Sequence, residues 1–360
     1  MGTTNAFGTK PLDPVRESTS QTDPCPLLLQ GAGSFYVGGE NRRSEALVSA
    51  NFPLHHDILS PSGTYTAHPM YVQYKIPAVA TRVPIVLIHG GGLTGTTWET
   101  TPDGRMGWEE YFVRQGHPVY TVDQVGRGRS GFDPTPINQV GAGRAPVNTL
   151  PPIATWSHEG AWQIFRFGPQ YPHPFPGIKF PLHAIAEFWK QSVPDFNAAL
   201  PTPNPTLANL SALAHRLRGA VLIGHAEAGT FPWQTALLNP DGIRGIIVVE
   251  GGAGPGLDRG VPVFAKIPTL VLFGDYISQS PFWTAMVQSC QRLTDQIKAA
   301  GGTVRLIQLP ELGIYGNTHM LMQDTNNLQV AQVLDQWIRD TVEEPGRAVL
   351  ATESAADPGR

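Results

Sequence analysis

What the chain lacks narrows its chemistry before any motif is weighed. Among 360 residues there are two cysteines, Cys25 and Cys290, and charged residues make up only 15%. Two cysteines permit one disulfide, and two separate thiols equally well. Cys and His ligands at the short spacings of a zinc site are absent, so no metal is expected. The formal net charge is −4 and no long basic run occurs, which argues against nucleic acid and anionic membranes as partners. No apolar run approaches the roughly 18 residues that cross a bilayer. The opening "MGTTNAFGTKPLDPVRESTS" has no apolar core of a signal peptide, and the compartment stays open on that ground. Neither G-x-x-x-x-G-K-[ST] nor a helix-opening G-x-G-x-x-G is found, so nucleotide binding is disfavoured and no cofactor is expected.

What is present is glycine (39), proline (34) and 41% hydrophobic residues. That balance predicts a packed core with many turns and long loops. The length suits one large α/β domain with an insertion. Residues 1–30 and 344–360 read as a polar arm and tail around a domain at 31–343.

Inside that span, strands alternate with helices. Early strands at "SFYVGG" and "MYVQYKIP" precede "PIVLIHG", whose continuous apolar run marks a strand buried on both faces. An amphipathic helix, "GWEEYFVRQG", and a strand, "PVYTVDQ", follow. Further on come a helix at "TLANLSALAHRLRG", a strand at "AVLIGH", a helix from about 227 to 239, and strands at "GIIVVEGG" and "PTLVLFGD". The helix "MVQSCQRLTDQIKAAGG", the strand "VRLIQLPE" and the helix "LQVAQVLDQWIRDTVE" complete the pattern. Such alternation predicts an α/β fold with a mostly parallel central sheet and helices on both faces. An insertion at about 132–205 interrupts it and is rich in proline and aromatics. A cap packing its own small core accounts for these rings, and some of them, Trp156, Trp162, Phe188 and Trp189 among them, are also candidates to line an apolar pocket.

Four features fall at carboxyl ends of strands, where chemistry gathers in such sheets. "HGGGLTG" (89–95) is a glycine loop whose amides, at Gly91 or Gly92, can face developing negative charge. "DQVGRGRSG" (123–131) reads mainly as a structural loop beneath it. "GHAEA" (224–228) has the layout of a nucleophile elbow, a sharp strand-to-helix turn among small residues, but Ala226 occupies its apex. The amide of the next residue, Glu227, would point toward the glycine loop and complete an oxyanion hole. Its side chain is expected to point away, which disfavours it as a substitute nucleophile. The fourth feature is a pair: His319 after the last strand suits a general base, and Glu250 or Asp275 at strand ends suits the acid that orients it.

Together these motifs resemble the α/β-hydrolase superfamily over about 30–343. The chain is similar in particular to an atypical type of secreted bacterial esterase, on "LTGTTWETTPDGRMGWEEYF" and "DQVGRGRS". The resemblance implies a glutamate after the sixth strand as the acid, hence Glu250, with His319 as base and Ala226 at the nucleophile's position. It implies secretion or a periplasmic location, whereas a native start at Met1 would imply the cytoplasm. The chain departs from that type in reading Gly91-Gly92 where adjacent cysteines stand, so no redox role attaches to that loop. It departs again at Ala226, where the family has serine. Because the surrounding motif is preserved, the alanine reads as a Ser→Ala replacement made to trap a ligand, with natural loss of the nucleophile as the other possibility.

The resulting expectation is a serine-type carboxylic-ester hydrolase, catalytically disabled at Ala226, acting on a small apolar or aromatic ester. A lactonase or amidase would use the same groups. A non-catalytic protein holding a small apolar ligand is the alternative of another class. A homodimer is compatible with all three.

Overall fold

The computed structural model describes residues 25–49 and 60–344; most of the arm and tail expected at the two ends lies outside the described residues. The strands are β1 (Leu29–Ser44), β2 (Gly63–Pro77), β3 (Ile85–Ile88), β4 (Val119–Asp123), β5 (Ala220–His225), β6 (Ile243–Val249), β7 (Thr269–Phe273) and β8 (Val304–Gln308). They form one eight-stranded sheet in the order β1-β2-β4-β3-β5-β6-β7-β8. The pairs β1–β2 and β2–β4 are antiparallel, and every later pairing is parallel. The two early strands are longer than their apolar stretches suggest. They pair with each other along almost their whole length, from Leu29↔Pro77 to Ser44↔Gly63, so backbone bonding carries polar residues into the hairpin.

Side-chain alternation divides the core into two layers. Ile85, Leu87, Val221, Ile223, Ile247, Val249, Leu270 and Leu272 face one layer, which receives Trp108 and Phe112 of the helix Trp108–Arg114 and Val330 and Leu334 of the helix Asn327–Trp337. The intervening residues Val86, Ile88, Leu222, Ile246, Val248, Val271 and Phe273 face the other layer. There they meet the helices Pro205–Arg216, Phe231–Leu238 and Pro281–Ala299. With both faces covered, β3 and β5 to β7 have apolar residues on each side, the reason their sequences read as unbroken runs.

Two expectations change in detail. The helix foreseen from 227 to 239 is instead a 3₁₀ turn, Ala226–Thr230, followed by the helix Phe231–Leu238. Pro232 has no amide to donate to the carbonyl of Ala228, so an α-helix cannot run back through that turn. Cys25 is exposed and Cys290 buried, and both thiols are free.

Between β4 and the helix Pro205–Arg216 lies the aromatic insertion, built of short helices such as His158–Ile164 and Ile185–Trp189. Its rings Trp162, Phe165, Phe167, Phe180 and Phe188 join the first core layer rather than forming a separate one. The cap and the carboxyl ends of the strands are therefore packed as one body.

Candidate active site

β5 ends at His225 and the chain turns sharply at Ala226, whose φ is +54°. Left-handed φ is uncommon for a residue with a Cβ and costs on the order of 1–3 kcal/mol. The turn needs small neighbours: a Cβ at Gly224 would lie 2.1 Å from the carbonyl oxygen of Ala228. Strain of this kind presents the residue at the apex to the space above the sheet, where Ala226 lines a cavity.

His319 opens on the same cavity. Its Nδ1 lies 3.2 Å from Glu250 Oε2. Glu250 follows β6 and also has a left-handed φ, +58°. Burial works against ionising this carboxyl, but the Arg166 guanidinium and the His319 hydrogen bond outweigh it and hold the pKa at about 2. An ionised acceptor at Nδ1 fixes the proton there and leaves Nε2 with its lone pair. Burial lowers the pKa of His319, with a smaller opposing effect of Glu250, so the ring is neutral near pH 7. It packs between Phe165, at 5.6 Å and 19° between ring planes, and Trp283, at 4.5 Å.

Asp275 is bonded elsewhere. Its two carboxylate oxygens accept the amides of Tyr276 (2.6 Å) and Gly316 (2.9 Å), which fixes the loop leading to His319. Of the two acids considered, Glu250 is the one hydrogen-bonded to the imidazole.

The two candidate glycine amides also separate. Gly92 N–H donates to Asp195 Oδ2 (2.9 Å), and Gly91 lines the cavity. Gly92 has φ +65°, and a Cβ there would lie 2.3 Å from Trp156 Nε1, so glycine is required. Glu227 follows Ala226, and its carboxyl turns to Arg127 Nη2 (2.9 Å) and the Asn197 amide group (2.5 Å). Below the loop, Asp123 accepts the amides of Gly95 and Arg129, which gives the 123–131 segment its structural role.

The cavity has a volume of about 370 Å³ and a mainly apolar wall that includes Trp156, Ile164, Phe165, Phe282, Trp283 and Met286. Trp156, one of the rings considered for a pocket, is part of this wall. Phe188 and Trp189 instead line a smaller neighbouring cavity of about 200 Å³. Trp162 is a correction: it is fully buried in the cap, 5.6 Å from Phe167 and 5.3 Å from Tyr171, filling core rather than pocket. A groove of about 490 Å³ elsewhere, near Arg82 and Arg244, contains none of the reactive groups.

Sequence reasoning missed Arg166. It lies on the cap, buried, with Nη1 2.7 Å from Glu250 Oε2 and Nη2 2.6 Å from Oε1. Its Nε donates to the Asp275 carbonyl (2.9 Å), and its guanidinium sits 4.7 Å from the Trp283 ring. A lone arginine between Phe165 and Phe167 was the available signal, since a charge inside an aromatic run needs a buried partner. Also missed as cavity residues were Met286, which opens the stretch recognised as helical, and Phe282 and Trp283, because the helix begins at Pro281, five residues earlier.

The chain is similar to known proteins. A solved structure described as a novel bacterial esterase is 49% identical, covers 88% of this chain and 98% of its own, and superposes with a TM-score of 0.84. A probable secreted lipase of a fungus (Fungal sp., strain ATCC 74256) is 27% identical over 334 residues, 77% of this chain and 87% of the lipase. No family model matches. Among the described residues no helix is long and apolar enough to cross a membrane. The sheet topology and the near-complete alignment with the bacterial esterase lead to one assignment: this chain belongs to the α/β-hydrolase superfamily, as an esterase- or lipase-like hydrolase.

Proposed function

We propose that the chain is the alanine form of a serine carboxylic-ester hydrolase acting on small apolar or aromatic esters. The observation that carries this reading is the shared cavity: the Ala226 methyl, at the strained apex, and the neutral imidazole of His319, held by Glu250, line the same apolar space. With serine at 226, Oγ would attack the ester carbonyl while His319 Nε2 takes its proton. The amides of Gly91 and Glu227 would receive the oxyanion. Collapse of the tetrahedral intermediate expels the alkoxide, which leaves with the proton returned by His319. Water then attacks the acyl-enzyme by the same route, releasing the acid. Glu250 stays ionised throughout and stabilises the imidazolium.

In this reading Ala226 removes the nucleophile and leaves the binding pocket in place. The apolar wall supports an apolar acyl or alcohol group, and the secreted relative supports action outside the cytoplasm. The test is a substrate panel for the Ala226→Ser variant: chromogenic esters of graded acyl length, with lactones and anilides beside them. Hydrolysis of esters is expected. Turnover confined to anilides or lactones would move the assignment to an amidase or lactonase.

The alanine itself favours a second reading, a protein that holds a small apolar ligand without chemistry. A silent Ala226→Ser variant, together with an apolar ligand retained by the unaltered chain, would favour it.

A further inference from the structure

Three consecutive peptide groups of the glycine loop are each held from outside. In the peptide joining Gly90 to Gly91, the Gly90 carbonyl accepts from His89 Nδ1 (2.9 Å) and Arg127 Nη1 (3.3 Å). In the next, Trp156 Nε1 donates to the Gly91 carbonyl (3.1 Å) while the Gly92 amide donates to Asp195 Oδ2 (2.9 Å). In the third, the Gly92 carbonyl accepts from Val193 N (2.9 Å). Arg127 ties the first plane to the second, because its Nη2 reaches Asp195 Oδ1 at 2.7 Å.

A trans peptide is planar, with its C=O and N–H pointing in opposite directions. Holding the Gly90 carbonyl on one side therefore sends the Gly91 N–H to the other. His89 suits the first contact: burial and the charge of Arg127 lower its pKa to about 4, so it is neutral. It donates at Nδ1 and accepts the Gln124 amide at Nε2 (3.0 Å). Glycine has little intrinsic preference among backbone conformations, so Gly91 and Gly92 do not by themselves fix which amide faces the cavity. A flip of the Gly90–Gly91 plane would turn a carbonyl dipole toward developing negative charge.

We propose that Asp195, acting with Arg127 and Trp156, is a positioning residue for the oxyanion hole: it takes up the Gly92 amide and steadies Arg127 on the Gly90 carbonyl, so that the Gly91 amide, rather than that of Gly92, meets the oxyanion. Asp195 touches no reacting atom. The proposal rests on the esterase reading above. It gives the cap a catalytic task beyond covering the pocket, since both Trp156 and Asp195 belong to the insertion.

The test introduces Asp195→Ala and Asp195→Asn into the Ala226→Ser variant. It reads kcat and KM on a short p-nitrophenyl ester, inhibition by an alkylboronic acid that becomes a tetrahedral anion on the serine, and the melting temperature. Asp195→Ala is expected to lower kcat by about 10- to 100-fold with KM changed by less than about threefold, and to weaken the boronic acid by a similar factor. Asp195→Asn keeps an oxygen for the Gly92 amide and is expected to recover part of the loss. Unchanged kcat and boronic acid inhibition, or a rise in KM alone, would overturn the proposal. If Asp195→Ala does not fold, Trp156→Phe, which removes the donor to the Gly91 carbonyl, is read against the same expectations. A parent Ala226→Ser variant silent on every ester would defeat the esterase reading, and the proposal with it; an active parent with indifferent Asp195 variants would defeat the proposal alone.

Discussion

Arg166 and Glu250, 84 residues apart, meet in a two-pronged buried ion pair, and the same carboxylate holds His319. The cap thus supplies the positive charge beside the carboxylate that is bonded to His319. Its Phe165 carbonyl also accepts the backbone amide of His319 (3.0 Å). Breaking one side of a buried pair leaves an uncompensated charge and costs about 3–5 kcal/mol. Arg166→Met is expected to lower the melting temperature strongly, and Arg166→Lys less. Calorimetry on both variants checks this; equal stability to the parent would contradict it.

The division of labour between the two acids has a kinetic consequence. In the Ala226→Ser background, Glu250→Gln should reduce kcat by up to about 10⁴-fold, the scale seen when a triad acid is neutralised. Asp275→Asn loses only hydrogen bonds to loop amides and should cost about 1 kcal/mol of stability, with activity changed by less than tenfold. The two variants assayed on one ester decide it. A larger loss at Asp275 would reassign the acid.

The pH dependence has two separate parts. Base catalysis needs neutral His319, whose pKa lies below its usual 6.5. The kcat/KM of the Ala226→Ser variant should therefore rise along an acid limb centred below pH 6.5 and be level at pH 7 and above. Glu250 governs stability: its pKa falls from 4.5 to about 2 on folding. That contribution is present above 4.5 and is lost as pH drops from 4.5 through 2. Melting curves from pH 7 to 3 check the second part, and a protein equally stable throughout that range would refute it.

Pocket shape should set acyl preference through Met286, whose side chain lines the cavity and stands over Gly252. Met286→Ala enlarges the apolar space, and Met286→Trp fills it. Relative to the parent Ala226→Ser variant, the ratio of kcat/KM for a long to a short ester should rise by about tenfold in the first and fall in the second, consistent with 1–3 kcal/mol per methylene. Matching ratios in all three would place substrate elsewhere.

Much of this architecture was legible in local pattern. Unbroken apolar runs ending in glycine or an acid marked the parallel strands, and the spacing of Gly224, Ala226 and Ala228 marked the elbow, because both depend on neighbours in sequence. Choices that depend on distant partners were not legible. Glu250 and Asp275 each end a strand, and only the orientation of His319 separates them. Gly91 and Gly92 are identical until Asp195, over 100 residues later, takes one amide. Trp162 and Trp156 lie in one aromatic-rich stretch, yet the first is buried in the core layer and the second faces the cavity. Arg166 announced itself only as a charge out of place among rings.

If position 226 is the nucleophile's place beside a competent base, a serine there should be open to covalent labelling. The unaltered chain and the Ala226→Ser variant would each be exposed to a fluorophosphonate and examined by intact mass and peptide mapping. One adduct per chain is expected in the variant, located at position 226 and lost when His319→Ala is added, with no adduct in the unaltered chain. A variant that remains unlabelled while folded, or a label on any other residue, would contradict it.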